Sequence, residues 1–252
     1  MTQPLAVVGG TGFTDIAGFC EEGRETVVTP FGAPSAPLVY GSLSGRPVVT
    51  LQRHGEQRNI PPHKVNYRAN VWALLKSGAR DAIGVAAVGG IAREAPPARV
   101  VIPEQILDYT CAREHTFFGA GPDAVQHIDF TNPYTAWLRE HLLRAAASTG
   151  VDALDGGVYG ATQGPRLETA AEIAKLERDG CTVVGMTGMP EAALMREAGL
   201  GYACCAVVVN WAAGKSDEAI TMDIIHANLQ IGMQRVDGML TAFASEYPTD
   251  DV

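Results

Sequence analysis

The side chains with chemistry to offer sit in a few short, Gly-rich segments of this 252-residue chain. Gly9-Gly10-Thr11-Gly12 follows a short apolar run, Leu5 to Val8. Glycines there let the backbone turn sharply and bare its N–H groups, and Thr11 adds a hydroxyl. The tetrapeptide either cradles a phosphate or makes a tight strand-to-loop turn. Arg53-His54-Gly55 ends a β-rich run. A guanidinium is a planar fork of donors suited to phosphate, although an isolated Arg-His pair also reads as a surface Arg beside a structural His. Gly89-Gly90 closes the apolar run Ala82 to Val88, so the backbone near Ala86 and Ala87 can approach a ligand closely. In Gln163-Gly164-Pro165-Arg166-Leu167-Glu168-Thr169, the carboxylate of Glu168 either faces a helix dipole or accepts from a ligand N–H. Met186-Thr187 and Asn210-Trp211-Ala212 each follow an apolar run. Together these residues offer hydroxyl, guanidinium and backbone donors for an anion, plus one amide and one carboxylate for a polar ligand.

The elements that must position them read as follows. Val183-Val184 is a strand, Glu191 to Ala198 a helix with Pro190 in its first turn, and Tyr202 to Val209 a strand buried on both faces. Such a βαβ unit puts its ligand edge at the carboxyl ends of its strands, where Met186, Thr187 and Asn210 fall. Thr26 to Thr29, Leu38 to Leu43 and Val48 to Leu51 suggest an antiparallel meander. Val65 to Lys76 and Pro133 to Ser148 have helical periodicity; Asn66 and Asn70 on the first are read as structural polar contacts. Val100 to Pro103, Ile106 to Tyr109 and Gly156 to Thr162 are strand candidates, Ala170 to Glu177 a helix. Arg113 to Asp129, with His115 and His127 at no metal-ligand spacing, reads as a long loop. The last helix starts near Thr221, with Ile225, Leu229, Met233, Val236, Leu240 and Phe243 on one stripe; Met222 and Ile225 read there as core. The alternation predicts one α/β domain over residues 1–252, a mixed central β-sheet flanked by helices.

Composition narrows the function classes. The chain is 46% hydrophobic and 19% charged, enough for a substantial core. Its longest apolar run is too short to span a bilayer, and its first residues do not read as a secretory signal. Five cysteines, an odd count without paired spacing, suit a reducing, cytoplasmic compartment. A net charge of −9 with no basic cluster argues against nucleic acid as a partner. A dinucleotide-binding oxidoreductase fits poorly, because Phe13-Thr14-Asp15 follows Gly12 where a third glycine would be needed.

Taken together, Gly9-Gly10-Thr11-Gly12, Arg53-His54-Gly55, His63 to Asn70, Gln163-Gly164-Pro165-Arg166, Gly185-Met186-Thr187 with Pro190-Glu191, and the strand ending at Asn210 resemble the purine nucleoside and methylthioadenosine phosphorylase family, its trimeric branch. The match runs through nearly the whole chain. The resemblance implies the nucleoside phosphorylase fold and phosphorolysis of a purine nucleoside, with inorganic phosphate as co-substrate and neither metal nor organic cofactor. It implies a phosphate site at Thr11, Arg53, His54, Thr187 and the backbone of Ala86 and Ala87. Met186 would lie under the ribose, and Asn210 and Glu168 would meet the base, with Leu167, Trp211 and Ala212 beside them. His127 would be lent to a neighbouring subunit of a homotrimer.

Two departures point to the substrate. Adenine-specific members carry Asp-x-Asp where this chain has Asn210-Trp211-Ala212, and Glu168 stands where members acting on 6-oxopurines also have Glu. Members acting on inosine and guanosine use a His near the start of the last helix for the 5′-hydroxyl. Here Met222 and Ile225 occupy that region, and the first His is His226. An oxo-type base pocket with an apolar 5′ pocket implies phosphorolysis of S-methyl-5′-thioinosine to hypoxanthine and 5-methylthioribose 1-phosphate. The alternatives are inosine and guanosine, or methylthioadenosine; a non-catalytic nucleoside-binding protein is a further class.

Overall fold

A computed structural model describes residues 3–10, 16–119 and 126–247. The chain runs β1 (Leu5–Gly9), β2 (Cys20–Glu25), β3 (Leu38–Leu43), β4 (Arg46–Gln52), α1 (Tyr67–Lys76) and β5 (Asp81–Gly90). It continues through β6 (Val100–Ile102), β7 (Gln105–Asp108), α2 (Ala136–Ser148), β8 (Ala153–Asp155), β9 (Val158–Ala161) and α3 (Ala170–Arg178). It closes with β10 (Val183–Gly185), α4 (Gly188–Glu197), β11 (Gly201–Trp211) and α5 (Met222–Glu246). The fold is α/β, with a mixed sheet of eleven strands among the described residues.

β5 organises the sheet. One of its edges pairs with β11 in parallel along its whole length. The other edge pairs with β1 in parallel at Ala82–Gly84, and then with β10, antiparallel, at Gly89 and Gly90. Between those two neighbours, on this edge, residues 85–88 have no strand beside them among the described residues. Both β5 and β11 are almost entirely buried, as expected of strands covered on both faces. Helices α1 and α4 pack together on one side, and α2 and α5 on the other, giving two apolar cores separated by the sheet.

Local chemistry explains the helix starts. Asn66 caps α1 by accepting from the Ala69 N–H. Asn70, buried in α1, bonds the Ser35 N–H and hydroxyl, so both asparagines are structural. Thr169 and Glu172 form a reciprocal capping box at α3. Thr221 caps α5 through the Ile224 N–H.

Three expectations need correction, and one strand went unread. The meander begins at Cys20–Glu25 and not at Thr26 to Thr29; this exposed edge strand carries charges, which protect an edge but mask its alternation. β8 had no hydrophobic signal and is short and half-exposed. Helix α2 starts at Ala136, after Pro133 and Tyr134 have formed a bend. Most important, β10 runs antiparallel to β5 while β11 runs parallel to it. β10 and β11 are therefore not the two parallel strands of a βαβ unit. Met186-Thr187 and Asn210 converge because β10 approaches the C-terminal half of β5 head-on.

Candidate active site

The interrupted edge of β5 opens into a cavity of about 630 Å3. Gly10, at the end of β1, marks one side of the opening. A Cβ there would lie 2.8 Å from the Val85 carbonyl oxygen and 3.0 Å from Arg53 Nη1, so only glycine fits. Residues two apart on a strand present their backbone groups to the same edge. The Val85 carbonyl accepts from Arg53 at this edge, so the Ala87 N–H also faces the opening. Ala86, Ala87 and Val88 all line it.

Arg53 is neither a surface residue nor an open fork. It is 1% exposed, and its Nε and Nη2 donate to the two oxygens of Glu191 at 2.6 and 2.8 Å. Nη1 donates to Val85 O at 3.0 Å and Nη2 to Val8 O at 3.3 Å. Four of its five N–H groups are thus engaged, leaving one on Nη1. Burial alone would draw the guanidinium pKa down, but the charge and hydrogen bonds of Glu191 push it above its ordinary value. Tyr202 Oη donates to the same carboxylate at 2.7 Å. Gly84 is required beside it, since a Cβ would collide with Tyr202 Oη. Arg53 and Glu191 are 138 residues apart, so no local pattern announces the pair.

His54 lies half-buried on the cavity wall and its Nδ1 sits 2.8 Å from the Ile60 carbonyl. A carbonyl only accepts, so Nδ1 carries the hydrogen. Burial, with the Arg53 charge beside it, holds the imidazole below its usual pKa, leaving it neutral near pH 7 with Nε2 as acceptor. Thr187 is buried on the wall at the foot of α4, and its N–H donates to Tyr159 Oη at 3.4 Å. Its hydroxyl does not cap α4. Met186 lines the cavity beside it. Met189 has extended backbone angles, so regular helix begins at Pro190.

On β11 the ladder slips by one residue between Val208 and Asn210. This bulge brings consecutive residues, Val209 and Asn210, to the same cavity. Asn228 of α5 donates to the Val209 carbonyl at 3.0 Å and secures the bulge. Asn210 is 7% exposed, and its Nδ2 donates to the Trp211 carbonyl at 2.7 Å. That bond fixes the amide, leaving one N–H and the carbonyl oxygen for a ligand. Glu168 also lines the cavity; its Oε1 accepts from Thr162 Oγ1 at 2.6 Å. The acidic side chain serving the α3 terminus is Glu172, so the dipole alternative for Glu168 gives way to a carboxylate held toward the cavity.

Leu167, Ala212, Met222 and Ile225 complete the rim with Ile220. Met222 is exposed at the mouth and not in the core. Trp211 is not on the wall, and His226 is exposed and away from it. His127 is exposed and apart from the cavity of its own chain. Thr11 lies outside the described residues. Sequence reasoning missed Glu191 as a partner, Val88, and Arg58, an exposed arginine of positive φ that also borders the cavity. It also missed Arg113, whose guanidinium bonds the carbonyls behind the wall. No cluster of three or more His, Cys, Asp or Glu suited to a metal occurs among the described residues, and no described helix is long and apolar enough to cross a membrane.

The sequence model of the family described as "Phosphorylase superfamily" matches residues 4–245. A "Probable S-methyl-5'-thioinosine phosphorylase" of Pseudomonas syringae pv. tomato is 50% identical over 95% of this chain and 98% of its own length. A "Probable 6-oxopurine nucleoside phosphorylase" of Thermococcus kodakarensis is 41% identical over 86% of this chain and 82% of its own. The structure is similar to that of methylthioadenosine phosphorylase from Schistosoma mansoni in complex with adenine, with a TM-score of 0.91 at 32% identity. That match covers 96% of this chain and 91% of the other.

Proposed function

The chain belongs to the phosphorylase superfamily, and from that premise we propose that it cleaves S-methyl-5′-thioinosine with inorganic phosphate. The products are hypoxanthine and 5-methylthioribose 1-phosphate. One observation carries the choice of substrate. A single cavity is lined by Asn210 and Glu168 and also by Ile220, Met222 and Ile225, with His54 the one histidine among its described wall residues.

A 6-oxopurine presents a carbonyl at C6 and an N–H at N1. Glu168 accepts from that N–H, while the remaining Asn210 N–H donates to the 6-oxo group. A 6-aminopurine presents a lone pair at N1 and a donor at C6, so both contacts fail and leave polar groups unpaired. At the sugar's other end, Met222 and Ile225 suit a methylthio group and offer a hydroxyl no partner.

Phosphate sits in the interrupted edge of β5. The Ala87 N–H, the Thr187 hydroxyl, the last Nη1 hydrogen of Arg53, and Thr11 hold it, and His54 Nε2 accepts from its hydroxyl. A phosphate oxygen attacks C1′ as the C1′–N9 bond breaks and its electron pair moves onto the purine. The sugar passes through a cationic state that the bound dianion faces directly. Met186 lies under the ribose. N7 of the departing purine takes up a proton from solvent as that electron pair arrives, which releases neutral hypoxanthine, and the carbonyl oxygen of Asn210 accepts a hydrogen bond from the N7–H. Ala86, Leu167 and Ala212 shape the walls, and Trp211 backs the base end by packing. All bond changes occur between nucleoside and phosphate, so we assign no cofactor. A homotrimer with His127 completing a neighbouring site, one domain over 1–252 and a cytoplasmic location complete the reading; free thiols throughout the chain suit that compartment.

The test compares phosphate-dependent turnover of methylthioinosine, methylthioadenosine and inosine. Methylthioinosine should exceed both others in kcat/KM by tenfold or more, in line with about 1–3 kcal/mol per unmatched group. Preference for methylthioadenosine removes the base assignment; preference for inosine removes the apolar 5′ assignment.

A further inference from the structure

Arg113 is absent from the cavity wall, yet it touches the backbone behind both halves of it. Its Nη1 donates to the carbonyls of Met186 at 2.8 Å and Met189 at 2.6 Å. Its Nη2 donates to the carbonyls of Gln163 at 2.8 Å and Thr162 at 3.2 Å. Its Nε reaches Gln163 Oε1 at 3.1 Å, and the guanidinium lies 5.6 Å from the Tyr67 ring. No carboxylate pairs with it among the described residues.

The four carbonyls form two pairs with different charges to keep. Met186 and Met189 bracket Thr187. Thr162 and Gln163 open the turn that leads to Glu168, and the Thr162 hydroxyl is itself the Glu168 partner. The strands that end in these two pairs, β9 and β10, are neighbours in the sheet; the Thr162 hydroxyl also bonds the Gly185 carbonyl at 3.3 Å, and this guanidinium ties the two turns together through four further carbonyls. The cation arrives from an irregular segment, and the residue before it, Ala112, has φ +53°. A non-glycine residue in that region is held there by its surroundings; here the hold comes from the bonds of the adjacent Arg113 and from the Cys111 N–H to Gln163 Oε1.

We infer that Arg113 is a positioning residue that sets Thr187 and Glu168 relative to each other, so that phosphate binding and base recognition depend on one guanidinium. The inference rests on the roles proposed above for those two residues. A planar fork is needed: an ammonium has the charge but not the reach to hold two carbonyl pairs at once.

The experiment measures phosphate KM and the ratio of kcat/KM for methylthioinosine over methylthioadenosine in Arg113→Ala and Arg113→Lys, beside Thr187→Ala and Glu168→Gln. Both Arg113 variants should raise phosphate KM and lower the ratio together, each by about tenfold or more, since small misplacements at a reacting site have effects of that order. Thr187→Ala should move only the phosphate KM, and Glu168→Gln only the ratio. A merely loosened fold would lower kcat on both nucleosides alike and leave the ratio intact. That result, or full recovery by lysine, overturns the inference. Should the alanine variant not fold, the lysine variant is read on the same two quantities. If Glu168→Gln leaves the ratio unchanged, the base assignment itself is lost, and Arg113 then stands or falls on the phosphate KM alone.

Discussion

At one end of the cavity Arg53 and Glu191 are 1% and 2% exposed; at the other, Leu167 and Met222 are 48% and 60% exposed. The first end is made of strand backbone, a glycine that admits no Cβ and an ion pair satisfied on nearly every atom. The second is a rim of side chains from the turn before α3 and the start of α5. Under the proposed assignment, a step common to every nucleoside, the attack of phosphate, is given to parts that cannot vary one at a time. The same assignment leaves the identity of base and 5′ group to side chains whose replacement disturbs little else.

The sharpest way to break this contrast is Glu191→Ala. It leaves the Arg53 charge buried without its partner, a loss of about 3–5 kcal/mol by precedent for such pairs. Denaturant unfolding should show a drop of that size with activity lost alongside; a small change would mean that Arg53 reaches solvent and the buried end is less fixed than its burial indicates. A middle-sized effect is expected at Asn210→Asp, which replaces the remaining amide donor by an acceptor. The preference for a 6-oxo over a 6-amino base should fall by about a hundredfold in kcat/KM, with a loss of about 1–3 kcal/mol in unfolding, because the buried carboxylate can no longer donate to the Trp211 carbonyl. Smallest is Met222→Ser at the exposed rim. Methylthioinosine should lose about threefold in kcat/KM relative to inosine, less than full burial of such a side chain would give, and stability should not move.

The same contrast governs what could be read from the residues alone. Buried runs declare themselves: Leu5 to Val8, Ala82 to Val88 and Tyr202 to Val209 all became strands at the heart of the sheet. Residues that follow those runs at Gly-rich ends were legible too, which is why Ala86, Ala87, Met186, Thr187 and Asn210 could be named and share one cavity. Strand direction was not legible, because a hydrophobic pattern is identical read along parallel or antiparallel neighbours; hence the mistaken βαβ unit at β10 and β11. Nor were partners distant in the chain. Glu191 was marked as part of a family-like stretch but not as a partner, and Arg113 only by its place in a polar loop, while their roles come from contacts 138 and more than 40 residues away. Cys20–Glu25 failed for the opposite reason: an edge strand clad in charge shows no apolar face.

The gap in the edge of β5 has one more consequence. Among the described residues the sheet lacks a length of strand between β1 and β10, and the ladder there is missing rungs. A tetrahedral oxyanion seated in that gap is, to the neighbouring backbone, a substitute for the absent strand: it offers acceptors where the next chain's carbonyls would have been. With phosphate bound where we propose, it closes the sheet as well as reacting, and the fold and its co-substrate are linked by mass action. On that assignment each turnover, which carries the phosphate away on the sugar, reopens the seam.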